Sequence, residues 1–204
     1  MNAIMCDNQV IYPSKVVCIG RNYAEHIAEL NNETPDEMVF FIKPNSSVST
    51  TLQFPKNTQK CHYEAEISFL IQNQKISAVA FGLDLTLREI QTVLKQKGLP
   101  WERAKAFDGS AVFSEFVPFS YEKENLEVKL YINAVLVQKG DIAMMIHKPN
   151  AILKEAQTFL SFEDNDILMT GTPKGVGEMK KGDIFLGRIL SNNKILLEKE
   201  FIVE

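Results

Sequence analysis

The segment His62-Tyr63-Glu64-Ala65-Glu66-Ile67-Ser68-Phe69 carries the chain's most informative chemistry. As a strand it places Tyr63, Ala65, Ile67, Phe69 and Ile71 on one face and His62, Glu64, Glu66 and Ser68 on the other. Two carboxylates then project side by side, roughly 7 Å apart along the strand, and like charges so close repel unless water or a cation lies between them. Oxygen ligands open to water suit a hard divalent cation such as Mg²⁺. The same alternation also describes a solvated strand face, and the segment alone leaves both readings open. Asp84, next in line, ends the strand Ala78 to Leu83, where ligands commonly sit and where Asp also serves turns and helix starts. Lys105, flanked by Ala104, Ala106 and Phe107, is either a buried ammonium seeking a carboxylate or anionic ligand or a lysine snorkelling at the surface.

The chain has three histidines, His26, His62 and His147, and their spacing gives no zincin motif. His26 and Glu29 lie three apart on a short helix predicted from about Tyr23 to Leu30, weakly patterned enough to be a mobile lid. A carboxylate so placed orients an imidazole as a general base, or the two form a surface ion pair. His62 reads as a structural neighbour of the carboxylates, and Cys18 and Cys61 as buried thiols. The loop Thr170-Gly171-Thr172-Pro173-Lys174-Gly175-Val176-Gly177 lacks the Gly-Lys-Ser/Thr order and the following helix of a Walker loop. It is either a plain turn or one that offers backbone N–H and hydroxyl groups to an anion.

Strands must position most of these groups. Candidates are Lys15 to Ile19, Met38 to Ile42, His62 to Ile71, Ala78 to Leu83, Leu126 to Gln138, Asp166 to Met169, Ile184 to Leu190 and Ile195 to Val203, rich in β-branched and aromatic residues. The segments around Asn133-Ala134 and Ser191-Asn192-Asn193 read as hairpins; because Ala tolerates positive φ poorly, a longer or different turn is expected at Ala134. One helix is predicted with Thr86 and Glu89 as a capping box, Leu87, Ile90, Val93 and Leu94 on one face, and Gly98 then Pro100 as its stop. A second opens at Pro149 and carries Ile152, Leu153, Ala156, Phe159 and Leu160 at helical spacing.

The 204 residues, 45% hydrophobic and 24% charged, fit one domain over residues 1–204. A net charge of −4 without charged blocks argues against a nucleic-acid or membrane partner. Three cysteines in no CxxC pair, and a start that does not read as a secretory signal, point to a reducing, cytoplasmic setting.

Taken together, Gly20-Arg21-Asn22-Tyr23 with His26 and Glu29, Phe41-Ile42-Lys43-Pro44, the His62 to Glu66 segment, Asp84, Lys105 and the Thr170 to Gly177 loop resemble the fumarylacetoacetate hydrolase family, from about Lys15 to Asp183. Within it the chain is most similar to the short acylpyruvate hydrolase and oxaloacetate decarboxylase or tautomerase branch. The resemblance implies a β-rich α+β fold, a mixed β-sheet roll with a few short helices, usually built as a homodimer. It implies a Mg²⁺ or Mn²⁺ held by Glu64, Glu66 and Asp84, which stabilises a pyruvate enolate formed from a 2-oxo acid substrate. By the family pattern Lys105 binds substrate oxygens, Arg88 and Thr172 address the carboxylate, and Arg21 and Gln138 are further contacts. A dyad like His26 and Glu29 activates water for C–C hydrolysis of acylpyruvates, whereas decarboxylation or tautomerisation of oxaloacetate needs no hydrolytic water. An isomerase or decarboxylase of a 2-hydroxyhepta-2,4-diene-1,7-dioate-type acid is the alternative activity. A non-catalytic 2-oxo acid or metal-binding protein is a third reading, against which the complete residue set argues. Ile142 and His147 stand where the family commonly has Thr and an aromatic residue, and Asn165 where many members have Gly.

Overall fold

Residues with strand preference dominate the chain, and in the computed structural model, which describes residues 1–29, 35–56, 60–120 and 125–204, they pair into sheets. In chain order the elements are β1 (Ile4–Cys6), β2 (Gln9–Ile11), β3 (Lys15–Gly20), α1 (Ala24–Glu29), β4 (Val39–Pro44), β5 (Val48–Ser49), β6 (His62–Tyr63), β7 (Ala65–Gln72) and β8 (Lys75–Asp84). There follow α2 (Arg88–Gln96), α3 (Glu102–Lys105), β9 (Ala111–Phe113), β10 (Val117–Pro118), β11 (Leu126–Ile132), β12 (Val135–Asp141), α4 (Pro149–Ala156), β13 (Ile167–Met169), β14 (Gly177–Glu178), β15 (Ile184–Ser191) and β16 (Lys194–Ile202). The expected end of the first helix at Leu30 lies outside the described residues.

An eight-stranded sheet runs β4-β3-β13-β7-β8-β9-β5, with β10 also on β8, and it is mixed because β13 lies parallel to β3 and β5 to β9. A four-stranded antiparallel sheet, β12-β11-β15-β16, packs across it, β11 over β7 and β15 over β8. This is the expected β-rich roll with few short helices. Ile67, Phe69, Phe81 and Leu83 interdigitate there with Val128, Leu130, Phe185, Ile189 and Phe201, all buried. At Gly187 a Cβ would stand 2.4 Å from the Phe81 ring, so only glycine lets the two sheets approach so closely. The other face of the large sheet buries Val16, Cys18, Leu70, Ala80, Phe113 and Met169 beneath Ile4 of the N-terminal hairpin. Among the described residues no helix is long and apolar enough to cross a membrane.

Two expectations are corrected. The turn after β11 is a two-residue turn, with Ile132 paired to Val135 and φ of 49° at Asn133 and 66° at Ala134. Asn133 holds it closed: its Oδ1 accepts from the Ile184 N–H at 3.0 Å and its Nδ2 donates to Asp183 at 2.9 Å. The left-handed cost at Ala134 is therefore met by neighbours instead of by a longer loop. Asn165, which stands where many members of the family have Gly, takes a left-handed conformation at φ 76°.

The second correction concerns α2, where no capping box forms. Thr86 Oγ1 donates to the Asp84 carbonyl at 3.2 Å, while Glu89 turns outward to Lys60 at 2.8 Å. Gln91 and Leu94 form its buried face and Ile90 and Val93 are exposed, because the inward side of the helix serves a polar cleft and not only the core. Gly98, at φ 61°, ends the helix as expected. In α4, Ile152, Leu153 and Ala156 are buried as expected, whereas Phe159 lies beyond the helix and is exposed.

Candidate active site

The β7–β8 register assembles the carboxylates. Ala65 pairs with Leu83, and the Asp84 N–H donates to the Glu64 carbonyl at 2.9 Å, so Asp84 at the end of one strand sits beside the start of the other. One side-chain oxygen from each of Glu64, Glu66 and Asp84 lies within 4.8 Å of the others, and all three residues are buried. A solvated strand face is thereby excluded. So is a surface role for Lys105: the residue is 3% exposed, and its ammonium donates to Glu64 Oε2 at 2.7 Å, Asp84 Oδ2 at 2.6 Å and Thr86 Oγ1 at 2.6 Å.

Lys43, of the Phe41-Ile42-Lys43-Pro44 segment, is a second buried ammonium. It reaches Asp84 Oδ1 at 2.8 Å and both the carbonyl and hydroxyl of Ser110 at 3.0 Å, and it also donates to the Lys105 carbonyl. Its signal was a cation inside an apolar strand, Phe40-Phe41-Ile42-Lys43. Arg88, on the first turn of α2, pairs with Glu64 and donates to Gln91 Oε1 at 2.7 Å. Glu66 differs from its neighbours: its Oε2 accepts the Gly171 N–H at 2.7 Å, and it has no ion-pair partner among the described residues.

These surroundings separate the acids. Burial raises the Glu64 pKa, but Lys105 and then Arg88 outweigh it and hold the group well below the usual carboxylate range. Burial and the charges of Asp84 and Glu64 push Glu66 well above that range. Burial works against the Lys105 ammonium too, yet Asp84 and Glu64 keep its pKa above the ordinary lysine value.

The glycine-rich loop closes the site from the other side, and its N–H groups go to protein carboxylates. Gly171, at φ 89° with Asn22 2.9 Å from where a Cβ would stand, serves Glu66; Gly175, at φ 99°, donates to Glu29 Oε1 at 2.9 Å. The other Glu29 oxygen, Oε2, lies 3.0 Å from His26 Nδ1, so the loop steadies the dyad and leaves His26 Nε2 as the ring nitrogen for a water or substrate. Thr172 Oγ1 donates to the Ala65 carbonyl at 2.9 Å and accepts from Gln138 Nε2 at 2.9 Å. Gln138 Oε1 in turn accepts the Ala65 N–H at 2.9 Å, so this amide braces β7 from behind.

A cleft brings together Arg21, His26, Glu64, Glu66, Asp84, Arg88, Lys105 and Thr172. Glu29 and Gln138 do not line it; they hold residues that do. Gln91, Lys95 and Trp101 also form its wall and carried no motif by which sequence reasoning finds them. His62 stands outside the cleft, 3.8 Å from Glu178.

Residues 15–191 match the model of the fumarylacetoacetate (FAA) hydrolase C-terminal family. The chain belongs to this family. Among its relatives, the oxaloacetate tautomerase FMP41, mitochondrial, of Saccharomyces cerevisiae is 37% identical, the alignment covering 93% of this chain and 92% of that protein. Oxaloacetate tautomerase YcgM of Escherichia coli is 38% identical over 84% of this chain and 87% of its own length. Among solved structures, fumarylpyruvate hydrolase from Pseudomonas aeruginosa, in complex with Mn²⁺ and pyruvate, superposes with a TM-score of 0.88 at 28% identity, covering 99% of this chain and 95% of that one. Within the FAA hydrolase family, the roll described above is thus the shared scaffold.

Proposed function

We propose that this FAA hydrolase family member is a divalent-metal-dependent enzyme of small 2-oxo acids that tautomerises or decarboxylates oxaloacetate. The observation that carries the reading is the buried set Glu64, Glu66 and Asp84 faced by Lys105 and Arg88. Hard oxygen donors this close fit Mg²⁺ or Mn²⁺, and Glu66, with no ion-pair partner among the described residues, is the acid whose charge such an ion would relieve. When bound, the cation supplies Lewis-acid charge to the oxygens of a 2-oxo acid end. Lys105, kept protonated by Glu64 and Asp84 and with its three N–H groups held by Glu64, Asp84 and Thr86, sets its positive charge beside the substrate oxygen on which negative charge develops. Arg88, fixed by Glu64 and Gln91, offers its guanidinium to the substrate carboxylate. In tautomerisation a proton leaves C3 and one arrives on the C2 oxygen, and His26, oriented by Glu29, is the base at hand.

C–C hydrolysis of acylpyruvates is the second reading, favoured by that same dyad: an imidazole held at 3.0 Å by a carboxylate, itself anchored to Gly175, suits activation of water. Pyruvate release from oxaloacetate and from acetylpyruvate, with Mg²⁺ and with EDTA against a metal-only background, separates the two. Release from neither, with keto–enol exchange also uncatalysed, would refute both.

We take residues 1–204 as one catalytic unit working as a homodimer, supported by the exposed apolar residues Ile90, Val93 and Leu99 around one shallow groove, and checked by light scattering. The three free cysteines suit a reducing compartment such as the cytoplasm.

A further inference from the structure

α2 presents Arg88, Gln91 and Lys95 to the cleft at positions i, i+3 and i+7, one face of the helix. Arg88 and Gln91 are engaged with Glu64 and with each other. Lys95 is not: among the described residues it has no carboxylate within ion-pair distance, and its ammonium lies over the Trp101 ring, 5.1 Å from the centroid. Trp101 is 5.9 Å from Phe41, and the Phe41 centroid is 5.2 Å from the Lys105 ammonium. The contacts thus run stepwise from the carboxylates through Lys105 and two aromatic rings to Lys95, along one wall of one cleft.

Charge in this cleft is unbalanced in a telling direction. Among the described residues its wall carries four cationic side chains, Arg21, Arg88, Lys95 and Lys105, against the three carboxylates Glu64, Glu66 and Asp84. A divalent cation on those carboxylates makes the excess larger. Burial, and then the charges of Arg21, Arg88 and Lys105, push the Lys95 pKa down to about 8. A half-buried ammonium pressed by like charges is stabilised by an anion.

We infer that Lys95, set on the Trp101 ring, is a specificity-determining residue that recognises the second carboxylate of a dianionic 2-oxo acid, the end remote from Glu64, Glu66 and Asp84. The site therefore selects C4 dicarboxylates such as oxaloacetate over acylpyruvates with an uncharged tail. This rests on the proposed 2-oxo acid function.

The test uses the intact protein with Mg²⁺ and two readouts. In the first, L-malate and lactate, the reduced and unreactive counterparts of oxaloacetate and pyruvate, are titrated calorimetrically into wild type, Lys95→Met and Lys95→Arg. Loss of one charge-assisted hydrogen bond predicts that Lys95→Met binds malate about tenfold more weakly with lactate unchanged, and that Lys95→Arg restores malate binding. In the second, KM for oxaloacetate rises about tenfold in Lys95→Met while KM for acetylpyruvate and both kcat values stay within about twofold. Equal loss of malate and lactate affinity, or no loss of either, would overturn the assignment, as would a wild type that binds malate no better than lactate. A wild type that binds malate but does not act on oxaloacetate would refute the proposed reaction and leave the Lys95 comparison decisive. A thermal melt checks each variant's fold, and Lys95→Gln, which also removes the charge, serves where Lys95→Met is unstable.

Discussion

Glu66→Gln should raise the stability of the metal-free protein and abolish its stabilisation by metal. Glu66 lies within 4.8 Å of Glu64 and Asp84 at its ligand oxygen, whereas Lys105 and Lys43 contact the other two acids and not this one. At 4.8 Å and an effective dielectric constant near 20, each like-charge pair repels by about 3.5 kcal/mol. Lys105 offsets part of this, and Gln keeps an acceptor for the Gly171 N–H, so a net gain of about 1–2 kcal/mol, or about 2–8 °C in Tm for a chain of this size, follows at a pH where Glu66 is ionised and vanishes where it is protonated. The sign with pH is definite. A carboxyl raised above its unfolded value favours folding below the usual carboxylate range and loses that contribution as pH rises through it toward neutrality. Glu64, held low, behaves oppositely in both proteins, so the difference between the two pH profiles isolates Glu66. Mg²⁺ or Mn²⁺ at a hundred times its Kd should stabilise wild type by about 2.7 kcal/mol, roughly 5–10 °C, and Glu66→Gln by less than about 1 °C. Melts by differential scanning fluorimetry across pH 5–8, with metal and with EDTA, read all of this. A Glu66→Gln protein that melts lower without metal, or keeps the full metal shift, would refute the reasoning.

Three further outcomes follow from named contacts. His26→Ala should reduce acylpyruvate hydrolysis by about 10²–10⁴-fold while leaving oxaloacetate decarboxylation within about threefold, since only the first needs an activated water; equal loss in a coupled pyruvate assay contradicts that division. Ala134→Gly relieves a left-handed alanine held at φ 66° and should raise stability by about 1 kcal/mol in urea denaturation, a lowered midpoint showing that the turn is not strained. Burial pushes the Cys61 thiol up to about 12 and raises Cys18 well above its ordinary value, so an aromatic disulfide reagent should titrate no more than Cys6 in the native protein and all three thiols in urea.

Much of the site was legible because a strand repeats every two residues. Glu64 and Glu66 share a face by that period alone, and Asp84 ends the strand with which theirs pairs. Burial was not legible: a polar strand face reads the same whether it meets water or a cleft, and only the covering of β7 by the Thr170 to Gly177 loop decides it. Lys43 escaped for the same reason, since its partners Asp84 and Ser110 are distant in sequence. The loop's sequence fits either a plain turn or one that offers N–H groups to an anion, and the anions it meets are Glu66 and Glu29 of the chain itself. The long strands and the places where they turn follow from composition and Asn placement, whereas the two-residue turn at Asn133-Ala134 does not, because its left-handed alanine is held by Asn133 contacts to Asp183 and Ile184. Strands of two or three residues, such as β5, β6 and β14, are too short to carry a period and form only because neighbours supply their hydrogen bonds. The α2 capping box failed because Lys105 and the Asp84 carbonyl engage Thr86, a tertiary demand stronger than a local motif.

The central claim is that Glu64, Glu66 and Asp84 hold a divalent cation that makes this cleft act on oxaloacetate. Following the ultraviolet absorbance of freshly dissolved enol-oxaloacetate as it converts to the keto form tests it most directly, with protein plus Mg²⁺ or Mn²⁺, protein plus EDTA, metal alone, and Glu66→Gln plus metal. The account predicts conversion well above the metal-only rate for the first and background rates for the other three. Wild type no faster than metal alone, or Glu66→Gln as fast as wild type, would contradict it.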